Sequence, residues 1–141
     1  MNAAISAAKE AFGAGEIPVG AVIVKDNTIL SIAHNRTEEM NDFTYHAELI
    51  ALREACSVLS SKYLNGCEMY VTLEPCPMCA GAIMHTRLTR LYFGAYDTLK
   101  GAFGSALDLS ACKNANKIEI YGGINERECA DLMSNFFDLK R

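Results

Sequence analysis

In Met69-Tyr70-Val71-Thr72-Leu73-Glu74-Pro75-Cys76-Pro77-Met78-Cys79, an apolar run stops at a proline and two cysteines follow three residues apart. Met69 to Thr72 reads as a strand. Pro75 and Pro77 suit a helix start, where backbone donors lack an intrahelical partner, so a helix is expected over Cys76 to Thr86. On its first turn Cys76 and Cys79 share a face, and both sulfurs can reach one ion. The free N–H groups and positive dipole end there also favour thiolates. One strand and one helix upstream, Thr44-Tyr45-His46-Ala47-Glu48 adds an imidazole and a carboxylate.

Zinc takes nitrogen and sulfur ligands in tetrahedral geometry, and a catalytic site has three protein ligands with the fourth position open. His46, Cys76 and Cys79 supply that count, one zinc per chain. Residues two apart on a helix point in nearly opposite directions. His46 is therefore expected at the extreme start of its helix, with the longer Glu48 side chain reaching back as a proton carrier. Taken singly, the two motifs have plainer readings: a redox pair or buried thiols for Cys-x-x-Cys, and chance for His-Ala-Glu. A structural zinc would want a fourth ligand, for which Cys67 is nearest, and would leave Glu48 without a role. Cys56 reads as core, as do Cys67, Cys112 and Cys129 as ordinary thiols, and His34 and His85 as structural or exposed.

Around these motifs the pattern alternates. Asn2 can cap a helix to about Phe12, with Ile5, Ala8, Ala11 and Phe12 on one face. Gly20 to Val24 and Thr28 to Ala33 flank Lys25-Asp26-Asn27 as an antiparallel hairpin. His34 to Asp42 reads as an irregular surface loop able to carry ligand contacts. A helix from about His46 to Leu59 should bury Leu49, Leu52, Ala55, Cys56 and Leu59. Strands are expected at Leu88 to Phe93 and Ile118 to Tyr121, and a last helix from Glu126 to about Leu139. An opening hairpin followed by alternating strands and helices argues for an α/β domain, residues 1–141, with helices on both faces of one mixed sheet.

With 141 residues, half of them apolar and about a fifth charged, the chain can bury one core. No run approaches the roughly 20 apolar residues of a membrane span, and Met1-Asn2-Ala3-Ala4-Ile5 is no secretory start, so the expected compartment is the cytoplasm. There the six cysteines should stay reduced. A net charge of −4 counts against a surface coated in phosphate-binding charge but leaves room for a basic patch.

His46-Ala47-Glu48 followed by Pro75-Cys76-Pro77-Met78-Cys79 resembles the signature of the zinc-dependent nucleoside and nucleobase deaminases, in which one histidine and two cysteines hold the metal and the glutamate moves protons. Gly15-Glu16-Ile17-Pro18-Val19-Gly20-Ala21-Val22, Ala33-His34-Asn35-Arg36, Val71-Thr72-Leu73-Glu74-Pro75-Cys76, Phe93-Gly94-Ala95 and Lys100-Gly101-Ala102-Phe103-Gly104-Ser105 extend the likeness nearly end to end, toward the branch that edits tRNA. The resemblance implies a three-layer α/β/α sandwich of the cytidine-deaminase type, with a mixed five-stranded sheet, assembled as a homodimer. It implies hydrolytic deamination of adenosine to inosine at the wobble position of a tRNA anticodon. Residue by residue it gives His46, Cys76 and Cys79 as ligands of Zn2+ and Glu48 as proton shuttle. Asn35 and Ala47 fall at base-binding positions, Asp97 near the nucleotide backbone, and Phe137 beside the anticodon stem-loop.

The chain departs from the family at Phe43, where Pro is common, and at Tyr45, where a small residue is common. Tyr96 stands where Arg is common, and Ser110 to Asn116 lacks the usual His, Pro and Gly. These changes leave open a deaminase of free guanine, cytosine or a nucleoside, and a non-catalytic zinc-stabilised domain. Glu48 argues against the latter, and the Gly101 to Ser105 loop against the former.

Overall fold

The computed structural model describes residues 1–141. Helix α1 (Asn2–Gly13) leads into strands β1 (Gly20–Lys25) and β2 (Thr28–His34), then a four-residue helix α2 (Thr37–Met40) and α3 (Ala47–Leu59). Strand β3 (Cys67–Leu73), helix α4 (Pro77–His85), β4 (Arg90–Ala95), a 3-10 turn at Leu109–Ala111, β5 (Glu119–Tyr121) and α5 (Glu126–Lys140) complete the chain. The hairpin closes through Asp26 and Asn27, both left-handed, the conformation a two-residue hairpin turn demands.

The strands form one sheet in the order β2-β1-β3-β4-β5. β1 is antiparallel to both β2 and β3, while β3, β4 and β5 run parallel, so the sheet is mixed. Helices α1 and α5 pack together on one face and α3 with α4 on the other. The main core lies under α3 and α4, where Ala47, Ala51, Leu52, Ala55, Ala80 and Ile83 meet Ala21, Ile23, Met69, Val71, Leu91 and Phe93. Alternate residues of β1, β3 and β4 supply those contacts, as period-two geometry requires. On the other face, Gly20 lies so close to α1 that a Cβ there would sit 2.0 Å from the Ala4 carbonyl oxygen.

Four local expectations need correction. Asn2 is already helical; Met1 is the N-cap, and no side chain caps α1. The stripe of α3 centres on Ala47, Ala51 and Ala55, with Leu49, Cys56 and Leu59 only half-buried, because small residues let the helix lie close to the sheet. The His34 to Asp42 segment is at the surface over Glu38 to Asn41, as expected, but it is not irregular: it holds α2, and Asn35 is buried. Strand β4 starts at Arg90, paired with Glu68, and runs through Gly94 and Ala95. Leu88 is buried before the ladder begins.

The parallel strands β3 and β4 end together, Leu73 opposite Ala95, and α3 and α4 both begin at that edge. In open α/β sheets the crevice beyond the carboxyl ends of the strands is where ligands bind.

Candidate active site

His46 is the N-cap of α3, in extended backbone conformation, and Cys76 is the N-cap of α4. Neither helix therefore continues through its ligand residue, and both side chains turn into the space between the two helix starts. His46 Nδ1 lies 3.8 Å from Cys76 Sγ and 3.5 Å from Cys79 Sγ. All three donor atoms fall within 4.8 Å of one another. Metal–sulfur bonds of about 2.3 Å and metal–nitrogen bonds of about 2.0–2.1 Å at a tetrahedral angle put N and S about 3.5 Å apart. The three donors thus fit one zinc.

The titration chemistry of the donors agrees. Hydrogen bonds from Cys79 and His46 pull the Cys76 thiol down to about 4. Its hydrogen bond to Cys76, together with burial, pushes the Cys79 thiol well up. The Cys76 interaction raises His46. Two thiolates side by side repel each other, and a divalent cation between them removes that conflict.

Glu48, the second residue of α3, is buried, and its Oε2 has no hydrogen-bond partner. Burial is the main cause that pushes its carboxyl up to about 7. A buried carboxylate oxygen without a partner costs folding free energy, so one beside a metal-ligand set marks a working group.

Glu48, His46 and Cys76 line a cleft of about 650 Å³ that also takes in Asn35, Asp97 and Phe137. Buried Asn35 accepts the Ala47 N–H at 2.8 Å through Oδ1, supplying the cap that α3 lacks from its own N-cap side chain. That bond fixes the amide, leaving its NH2 as the group offered to the cleft. Ala47 itself is fully buried, does not line the cleft, and has its N–H committed to Asn35. Asp97 Oδ1 accepts from the N–H of Leu99 and of Lys100, 3.0 Å each, so it shapes a turn while facing the cleft. Of the four family departures, Phe43, Tyr45, Tyr96 and Ser110 to Asn116, only Tyr96 lines the cleft. Phe43 is 77 % exposed, and Tyr45 lies under the Arg53 guanidinium.

Of the lysines and arginines, Lys100 alone lines the cleft. Arg90 is engaged by Glu68 and Glu119 at the opposite end of β4, Arg87 lies over the Tyr63 ring, and Lys140 over Phe136.

Sequence reasoning gave no role to Glu16 and Glu74, both about 1 % exposed. Glu16 accepts the N–H groups of Glu38 and Glu39 and the Thr37 hydroxyl, capping α2, whose Thr37 lines the cleft. Glu74 accepts the N–H groups of Asp97, Phe103 and Ser105 and the Ser105 hydroxyl. The signal in the sequence was a charged residue inside an otherwise apolar motif, Gly15-Glu16-Ile17 and Leu73-Glu74-Pro75.

Fold and site together define a zinc-dependent deaminase. Residues 1–95 match the family described as the cytidine and deoxycytidylate deaminase zinc-binding region, and the chain belongs to that family. Zinc is its cofactor. Within the family, near-full-length relatives at 41–49 % identity include tRNA-specific adenosine deaminases. The one from Rickettsia bellii is 49 % identical, with 97 % of each chain covered. That of Aquifex aeolicus is 45 % identical over 97 % of this chain and 91 % of its own, and that of Bacillus subtilis 41 % over 97 % and 86 %. A solved structure from a study of A-to-I editing by tRNA:A34 deaminases superposes with a TM-score of 0.91 at 41 % identity, covering 94 % of this chain and 96 % of that one. Guanine deaminase from Bacillus subtilis is similar at lower level: TM-score 0.64, 34 % identity, 79 % of this chain and 82 % of that one.

Proposed function

We propose that this chain hydrolytically deaminates adenosine to inosine at the wobble position of a tRNA anticodon. His46, Cys76 and Cys79 hold the zinc, and Glu48 moves the protons. The observation that carries this is the unpartnered, buried Glu48 oxygen beside three donors spaced for one tetrahedral ion. When bound, zinc supplies water acidified to a pKa of about 7.

The chain's own residues do the rest. Glu48 takes one proton from the attacking water and delivers it to a purine ring nitrogen, where it stays; it then takes the second proton from the newly added hydroxyl and passes it to the amino group, which leaves as ammonia. The Asn35 NH2, fixed by the bond from Ala47, donates to a ring-nitrogen acceptor and so orients the base. An anticodon base can be splayed out of its loop at modest cost. The cleft extends from Glu48 past Met133 to Phe137 on α5, with room for neighbouring nucleotides and an aromatic ring to stack on.

A homodimer in the cytoplasm belongs to the same reading. No helix is long and apolar enough to cross a membrane, and Phe43 and Val58, which lie outside the cleft, are large apolar side chains in water of the kind a second copy covers. A second activity, deamination of a free purine, has in its favour the likeness to guanine deaminase and the single cation lining the cleft. Incubation with an adenosine-bearing anticodon stem-loop, free guanine and cytidine decides between them. Inosine from the RNA alone is expected; turnover of a free base with none on RNA overturns the proposal.

A further inference from the structure

The segment from Asp97 to Leu107 has no strand or long helix to hold it, yet it forms one lip of the cleft through Asp97, Thr98, Leu99 and Lys100. It is built around a single carboxylate. Glu74 Oε1 accepts from Phe103 N at 3.2 Å and Ser105 N at 3.1 Å; Oε2 accepts from Asp97 N at 3.0 Å and from the Ser105 hydroxyl. The backbone closes over it. A Cβ at Gly101 would lie 2.4 Å from Glu74 Cδ, and Ala102 N donates to the Pro75 carbonyl at 2.9 Å. Glu74 is two residues from the metal-ligand candidate Cys76, so one carboxylate ties the lip carrying Lys100 to the strand end that carries the site.

We infer that Glu74 is a positioning residue, one that sets how tightly the RNA is held by fixing the Asp97–Lys100 lip, and that it takes no part in the chemistry. The inference rests on the tRNA-deaminase reading for its substrate. A glutamine at position 74 has one oxygen and one NH2 in the same shape. With its NH2 at the Oε2 position it can donate to the Ser105 hydroxyl, but it orphans the Asp97 N–H. With its NH2 at the Oε1 position it orphans both Phe103 and Ser105. The first arrangement loses least, so Glu74→Gln loosens the Asp97 end in particular.

The test uses zinc-loaded enzyme and an adenosine-bearing anticodon stem-loop. Glu74→Gln should keep about one zinc per chain and raise KM tenfold or more with kcat within about threefold of wild type. In a cycle with Lys100→Ala, the two losses should combine to less than their product, because both act through the same lip. An unchanged KM, a loss confined to kcat, or fully multiplicative effects would each overturn the inference. Should Glu74→Gln fail to fold, Ser105→Ala, which removes only the hydroxyl contact, should raise KM severalfold with kcat kept, and an unchanged KM there counts equally against it. Wild-type turnover of the stem-loop separately tests the activity. If wild type acts on a free base instead, the same KM ratio is read on that substrate, where the inference expects no change and a tenfold rise contradicts it.

Discussion

Glu48→Gln should make the metal-stripped protein more stable and the zinc-loaded enzyme nearly inactive, and the first effect has a calculable pH dependence. Burial raises the Glu48 carboxyl from about 4.5 to about 7. The folded state therefore binds this proton more tightly than the unfolded chain. Its contribution to stability is fully present below about 4.5 and is lost as pH rises through about 7. At about 1.4 kcal/mol for each tenfold in proton concentration, the loss comes to roughly 3 kcal/mol. Glutamine has nearly the same shape and does not titrate. The variant should match wild type near pH 4.5 and exceed it by about 3 kcal/mol at pH 8.5, measured by urea unfolding of both proteins in chelator. The main core does not include the three donors except through neighbouring residues, so the fold should survive zinc removal. Restoring zinc should shrink the gap, because a cation beside the carboxylate offsets its burial. The loaded variant should lose 10²- to 10⁴-fold in rate. A stability difference that stays flat between pH 4.5 and 8.5 would refute the reasoning, since the two chains differ only in the carboxyl at residue 48 and in the upward pull its charge exerts on His46 and Cys79.

Asn35→Asp keeps an oxygen for the Ala47 N–H but replaces the NH2 that faces the cleft with a buried carboxyl beside the one at Glu48, so kcat/KM should drop tenfold or more and the melting temperature should fall as pH rises and that carboxyl ionises; Asn35→Ala should lose both hydrogen-bonding groups, with about 1 kcal/mol of stability from the missing cap. Gly20→Ala should destabilise by roughly 3 kcal/mol or more in denaturant unfolding, since its Cβ would meet backbone atoms of α1, the Ala4 oxygen at 2.0 Å and the Ala8 nitrogen at 2.7 Å, that cannot yield locally. With Lys100 as the cation lining the cleft, stem-loop affinity should fall only shallowly with salt, a log–log slope of about −0.7, the value for one single-strand phosphate neutralised; a slope near −5 would reveal a basic face elsewhere.

What was legible in the sequence is what depends on neighbours in the chain. Strand runs, the hairpin turn at Asp26-Asn27 and the α4 start at Pro77 are local, and each falls where its pattern put it, within a residue or two. The donor triad was legible because helix-start chemistry constrains both of its halves. The misplaced features depend on distant partners. Helix α2 was read as irregular because its cap comes from Glu16, some 21 to 23 residues away. Strand β4 was expected to end at Phe93. It continues through Gly94 and Ala95, and α5 presses close there, a Cβ at Gly94 lying 2.4 Å from Cys129 Sγ. Phe43 and Tyr45 show the same limit: adjacency to His46 in sequence is not adjacency to the cleft, which neither residue lines.

Three glutamates with nearly the same burial have different surroundings, and the difference explains why only one of them is suited to catalysis. Glu16 and Glu74 are each wrapped by backbone N–H groups and a hydroxyl, so both oxygens are engaged as acceptors. Glu48 is buried at 4 % exposure against their 1 %, and one of its oxygens has nothing to accept from. The fold has donors to spare at this edge, since the starts of α2, α3 and α4 all lie there. Asn35 takes the Ala47 N–H that would otherwise point from the head of α3, which withholds a donor from the region beside Glu48. A carboxylate fully satisfied by fixed donors is a structural brace, because any proton it took would break those bonds. A carboxylate left short of one is destabilised as the anion and can accept a proton without disturbing its surroundings. The two braces hold the lips of the cleft in place, and that rigidity is what allows the third carboxylate to remain unsatisfied in a folded protein.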